Sequence, residues 1–243
     1  MRRSSPASGS GLPAEQDVGA LAARYGLAAP APQQLEALLA VLTEDPLAPT
    51  TIGAAHALDD HLADSLVALE LEPVRDATTI ADLGSGAGLP GLPLAIALPE
   101  AGMHLVESSK RKCEFLDRAV RACELGNVEV VHARIEEWAA SVDLVTARAL
   151  APLEVVVEYA APLLRIGGTL VVWRGQREPE REAAAEKAAE IVGIEVGEIL
   201  AVRPFPAARN RHLHLMSKVM ETPARFPRRP GIAMKRPLSS AKP

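Results

Sequence analysis

The stretch Asp82-Leu83-Gly84-Ser85-Gly86-Ala87-Gly88-Leu89-Pro90-Gly91 is where this chain carries its chemistry most openly. It follows a short apolar run and precedes a helical pattern. Glycines at such a turn let the backbone bend sharply and approach a ligand closely, and the free N–H groups of the next helix face that ligand. Glu107 closes the next apolar run, where a carboxylate can accept two hydrogen bonds from a ribose diol. Arg148 closes a later run. It could orient a ligand through its rigid donor fork or form a structural ion pair. Ile135 and Glu136 begin the loop after the run at 128–133, where an adenine ring would lie; a solvated acid at a helix start is the competing reading.

Two cofactors suit the glycine turn. Gly86-x-Gly88-x-x-Gly91 matches the dinucleotide fingerprint of NAD-dependent oxidoreductases, whereas Asp82-x-Gly84-x-Gly86-x-Gly88 matches the first motif of S-adenosylmethionine (SAM) methyltransferases. Glu107 and a hairpin expected at the end of the sheet favour SAM. Methyl transfer to an acceptor with a lone pair needs alignment and little else. Harder acceptors need more, and the sequence lacks it. A pyrimidine carbon requires a cysteine nucleophile, but Cys113 and Cys123 fall within one helical pattern, about 15 Å apart along its axis. Exocyclic amines commonly use an Asn/Asp-Pro-Pro-aromatic turn, and Thr146-Ala147-Arg148-Ala149-Leu150 stands in that place. Guanine N7 fits both absences. His56, Asp60, His61 and Asp64 have spacings that could hold a metal, but a polar helix face is the commoner meaning, so no metal is expected. His212 and His214 share one strand face and read the same way.

These residues sit in a legible scaffold. The chain has 243 residues, 48% apolar and 23% charged, enough for a sizeable core and too apolar for global disorder. No stretch reaches the ~20 apolar residues of a membrane span, and the start has no secretory signal pattern. With two cysteines too far apart to pair, a reducing cytoplasm is the expected location. Residues 1–14 read as a disordered tail and 15–73 as a helical region, with helices over 15–25, 32–42 and 52–71. Residues 74–220 alternate strands (78–83, 103–108, 128–133, 142–147, 168–173) with helices (90–98, 110–125, 134–138, 152–164, 178–192). Runs at 194–202 and 212–219 follow as a hairpin. The expected fold is α/β: a doubly wound, Rossmann-like SAM methyltransferase sheet with one antiparallel strand, preceded by the helical region. Net charge is −5 overall, yet residues 203–243 carry ten Lys/Arg and one acid, leaving the rest strongly acidic. The basic tail at 221–243 points to nucleic acid or, failing a partner, to solvent.

The loop ADLGSGAGLPGLPLAI (81–96), His61-Leu62-Ala63-Asp64-Ser65-Leu66, Arg134-Ile135-Glu136-Glu137, Arg148-Ala149, Arg211-His212-Leu213 and FPRRPGIAMKRPL (226–238) together resemble the RsmG/GidB family of SAM-dependent methyltransferases. The resemblance implies guanine-N7 methylation of 16S ribosomal RNA, alone or in the small subunit; separately, a monomer is expected. It implies a SAM pocket at Gly84, Gly86, Leu89, Ile135, Glu136 and Arg148, to which our reading adds Glu107 at the ribose. His61 and Ser65 would lie beside that pocket towards the RNA, with Arg211, Arg228, Arg229, Lys235 and Arg236 as further RNA contacts. Asp64 is the candidate for stabilising the guanine ring as it becomes cationic. The rival classes are a methyltransferase acting on another RNA or a small molecule, an NAD-dependent oxidoreductase, and an RNA-binding protein without catalysis.

Overall fold

The computed structural model describes residues 17–238, so the expected tail at 1–14 and the start of the first helix lie outside the described residues. The chain runs α1 (Val18–Arg24), α2 (Ala31–Glu44), α3 (Ala54–Ala57), a π-helical turn (Leu58–Ala63), α4 (Asp64–Leu66), a 3-10 turn (Val67–Glu70) and α5 (Glu72–Arg75). Strands and crossovers follow as β1 (Thr79–Leu83), α6 (Gly91–Ala97), β2 (Gly102–Glu107), α7 (Lys110–Ala122), β3 (Val128–His132), β4 (Val142–Arg148), α8 (Leu153–Ala160), β5 (Leu164–Arg174) and α9 (Pro179–Val192). The chain closes with β6 (Ile194–Ala201), β7 (His212–Lys218) and α10 (Ile232–Lys235). The helix expected at 134–138 is a single 3-10 turn, Ile135–Glu137.

The sheet order is β3-β2-β1-β4-β5-β7-β6. Strands β1 to β5 pair in parallel, whereas β7 lies antiparallel between β5 and β6. This is the one reversed strand that two consecutive strand patterns without a helix require. Side chains alternate across the sheet. Ile80, Leu105, Leu144 and Val171 face a core shared with α1, α2, α4, α6 and α7, while Ala81, Leu83, Val145 and Val172 face a second core under α8 and α9. Helices on both faces make the fold doubly wound, and the N-terminal helices are part of its first layer.

The region expected as one regular helix at 52–71 is interrupted by the π turn. Residues 61–69 are buried without a break, so this segment is walled on all sides and is not a simple amphipathic stripe. The reversal between β1 and β4, whose following helices go to opposite faces, opens the crevice at the strand carboxyl ends. At the other end of the same two strands, the Asp143 carboxylate accepts from Thr78 N (2.8 Å), Thr78 Oγ1 (2.6 Å) and Thr79 N (3.1 Å), and it pairs with Arg165. Burial pushes this carboxyl up, but the Thr78 and Thr79 hydrogen bonds and Arg165 outweigh it and hold the pKa at about 2.

A carboxyl held below its unfolded value stabilises the fold above pH 3.8, and that contribution is lost as pH falls towards 2. Asp143→Asn should therefore cost about 2 kcal/mol at pH 7, read by urea unfolding. The gap between the two proteins should close between pH 4 and pH 2. A gap that stays constant over that range would contradict the assignment.

Candidate functional site

Two pockets open at the carboxyl ends of the strands and meet at Ala149. The first is lined by Gly84, Glu107, Lys112, Ile135, Glu136 and Tyr159, among others, and encloses about 330 Å³. Its floor is the turn after β1. Gly84 and Gly86 both have φ near +60°, where a side chain is strained. A Cβ at Gly84 would lie 2.4 Å from Leu150 Cδ1, whereas one at Gly86, which does not itself line this pocket, would stand 3.6 Å from the Gly84 carbonyl oxygen, an ordinary contact. The turn is held from two sides. Gly84 N and Ser85 N donate to the Val106 carbonyl at 2.8 and 3.2 Å, and Gly86 N donates to Glu107 Oε2 at 3.1 Å. Glu107 is buried at the end of β2, and its Oε1 accepts from Ser109 N at 2.8 Å. Lys112 Nζ stands 3.7 Å from Oε2. Behind the turn, Asp82 is fully enclosed. Burial raises its pKa to about 6, against the hydrogen bond from Thr146 (2.9 Å).

The opposite wall is one that the sequence did not reveal. Glu136 Oε1 accepts from Gly231 N at 2.8 Å, and Gly231 and Met234 both line this pocket. Burial and the Glu136 carboxylate push the Tyr159 phenol up to about 12. Tyr159 comes from α8 and Met234 from α10, so neither has a local sequence signal near the glycine turn.

The second pocket, about 350 Å³, is lined by Asp64, Arg148, Trp173, Arg174, Arg211 and His212 among others. Its centre is an ion cluster. Arg148 Nη1 donates to Asp64 Oδ2 at 2.9 Å and to the Asp60 carbonyl at 3.3 Å. Arg211 Nη2 donates to Asp60 Oδ1 at 2.8 Å, and Arg211 Nε stands 3.3 Å from Asp64 Oδ1 without hydrogen-bond alignment. Trp173 Nε1 donates to the Asp64 carbonyl at 2.7 Å. Burial pushes Asp64 up, while Arg148 and Arg211 pull it down; the net direction is upward.

Several expected site residues are placed differently. Arg148 faces the second pocket, not the cofactor-like one, because its guanidinium turns to Asp64. Leu89 is buried in the core and does not line the first pocket. Ser65 is fully buried, with its hydroxyl donating to the His61 carbonyl at 2.6 Å, so it does not face an RNA. His61 is buried too, its Nε2 2.9 Å from Thr50 Oγ1. Arg211 is engaged with Asp60 and Asp64. Arg228 forks onto Glu158 at 2.6 and 2.5 Å, so the basic tail is packed against the domain through residue 238 instead of standing free. Arg229, Lys235 and Arg236 remain exposed. Asp64, bracketed by two arginines, is not a free anion able to face a cationic ring. Cys113 and Cys123 are buried free thiols. Burial raises both, Cys123 to about 11, which leaves neither as a nucleophile. Among the described residues no group of three or more His, Cys, Asp or Glu side chains could hold a metal, and no helix is long and apolar enough to cross a membrane.

The fold is that of the SAM-dependent methyltransferases. It resembles such an enzyme from Aquifex aeolicus (TM-score 0.54, 18% identity, covering 68% of this chain and 93% of that one). It also resembles a putative RNA methyltransferase from Pyrococcus horikoshii (TM-score 0.52, 18% identity, covering 77% and 99%). Residues 49–213 match the family model described as rRNA small subunit methyltransferase G (GidB). The ribosomal RNA small subunit methyltransferase G of Rubrobacter xylanophilus is 41% identical over 188 residues, covering 74% of this chain and 72% of the relative. That of Chloroflexus aggregans is 43% identical over 186 residues, covering 73% and 76%. The chain belongs to the rRNA small subunit methyltransferase G family.

Burial lowers the His61 imidazole to about 4, and the nearby Arg148 charge adds to the effect. The folded protein thus keeps His61 neutral while the unfolded chain binds a proton below pH 6.5. The stability this contributes is complete above pH 6.5 and is lost as pH falls towards 4. His61→Gln should show a shallower fall in melting temperature over that window than the parent. Equal slopes would mean that His61 is accessible and not held neutral.

Proposed function

We propose that this protein transfers a methyl group from SAM to N7 of a guanine in 16S ribosomal RNA. The observation that carries the reading is the pair of pockets meeting at Ala149, one with the glycine cradle and a buried carboxylate, the other with two clamped arginines. The first pocket suits SAM. Gly84 lines it without a side chain, Gly86 ties the same turn to Glu107, Glu107 can accept from the ribose hydroxyls, and Ile135 and Leu150 offer apolar surface to an adenine. SAM, when bound, supplies an electrophilic methyl on a sulfonium. An NAD enzyme would continue its sheet in parallel, which the reversed β7 argues against.

Guanine N7 has a lone pair in the plane of the ring, so no residue needs to take a proton before attack. The second pocket agrees with that chemistry. It lacks a thiol nucleophile, and its one buried carboxylate is committed to arginines. Asp60 and Asp64 hold Arg148 and Arg211 as rigid forks, and these can orient the acceptor nucleotide. Arg229, Lys235 and Arg236, exposed beside the first pocket's outer wall, are suited to phosphate contacts that do not read sequence. Two buried free thiols agree with a cytoplasmic location.

Two measurements test the reading. Calorimetric titration should show SAM binding to the parent and its loss in Gly86→Val, and the single-turnover rate with SAM and RNA saturating should stay flat from about pH 6.5 to 8.5. A log-linear rise with pH would indicate a required deprotonation and exclude N7. Assignment of Arg148 to the acceptor side makes a separate demand. Arg148→Lys keeps the charge but loses the fork, and should lower methyl transfer by about tenfold or more while SAM affinity stays within about threefold. Loss of SAM affinity in step with rate would return Arg148 to the cofactor pocket.

A further inference from the structure

The family model matches residues 49–213, and the wall that closes the first pocket comes from the later segment at 226–238. Residues 223–236 leave the end of β7 and pass across α8. Phe226 and Ala233 are buried in the core beneath α8 and α9. Between them, Arg228 forks onto Glu158, a carboxylate almost completely buried on α8, and donates to the Arg236 carbonyl at 3.0 Å. A third tie reaches the pocket itself, from Gly231 N to Glu136 Oε1 at 2.8 Å. Glu136 is thereby fixed by a segment far from it in sequence.

Met234 is the feature that these ties leave unexplained. Its neighbour Ala233 is buried, yet Met234 is 51% exposed and lines the pocket that holds Gly84, Glu107 and Ile135. A flexible thioether side chain suits an adaptable apolar contact, and covering it with a bound ligand would remove its apolar area from water.

We propose that residues 226–234 form a strap that completes the cofactor site, with Arg228–Glu158 as its anchor, Gly231–Glu136 as its tie to the pocket, and Met234 as the apolar surface that packs on the bound cofactor. The proposal rests on the reading of the first pocket as the SAM site. Arg228 then acts through the strap as a positioning residue, and the strap sets cofactor affinity in addition to carrying exposed cations.

The test is calorimetric titration of the full chain with SAM, paired with thermal unfolding. Met234→Ser should weaken SAM binding about fivefold or more without lowering the melting temperature, and Met234→Leu should restore affinity to within about twofold. The double variant Glu158→Gln/Arg228→Gln removes the ionic anchor without leaving one buried charge unpaired. It should also weaken SAM binding. Met220→Ser, which removes an equally exposed methionine remote from the pocket, should leave SAM affinity unchanged. If the parent binds SAM and Met234→Ser binds it equally well, the strap is not part of the cofactor site. If the parent shows no SAM binding at all, the strap proposal falls together with the cofactor reading.

Discussion

Asp64 is buried between two arginines, and the architecture of the site follows from that contact. A carboxylate out of water must be paired, and removing one partner of such a pair typically costs several kcal/mol. Here the partners come from different parts of the chain: Arg148 from the end of β4 and Arg211 from the approach to β7. Trp173 of β5 adds a hydrogen bond to the Asp64 carbonyl. The π turn and the start of α4 deliver Asp60 and Asp64 to this point, so the N-terminal helices and three strands are locked at one place. The lock also divides the crevice. Arg148, drawn towards Asp64, leaves the glycine side free, and Ala149, at φ +53°, carries the chain from one pocket to the other.

On the glycine side, the constraint is the close approach of backbone to backbone. Gly84 and Ser85 dock on the Val106 carbonyl and Gly86 on Glu107, so the turn after β1 and the end of β2 form one rigid corner. Such a corner presents its donors and its carboxylate without reorganisation when a ligand arrives, which is what binding and methyl transfer both require. The second pocket needs rigidity of another kind. Its arginines keep spare donors because only part of each fork is used by Asp60 and Asp64.

The parts legible in the sequence were those governed by local rules. Strands from β1 to β7 announced themselves by short apolar runs, the glycine turn by its spacing, and the antiparallel strand by two strand patterns without an intervening helix. What stayed hidden depends on contacts distant in sequence. The burial of His61 to Leu69 on every side, next to the π turn, is a condition set by the sheet and neighbouring helices. Arg148 was visible as a strand-end arginine, but its direction depends on Asp64, 84 residues earlier. The packed tail had a signal that composition obscured. Glu154 and Glu158 lie one turn apart on the otherwise apolar α8, and two buried acids on such a helix require cations from elsewhere. Arg181 and Arg228 are those cations, so a segment that reads as a basic tail is in part a structural one.

The central claim is that the two pockets bring a SAM methyl to guanine N7 of small-subunit RNA. It is tested most directly by incubating the protein with isotopically labelled SAM and unmodified 16S RNA or small subunits, digesting the RNA to nucleosides and identifying the labelled product by mass spectrometry. The account predicts a single labelled nucleoside, 7-methylguanosine. Label on another atom, or on no nucleoside despite SAM binding, would contradict it.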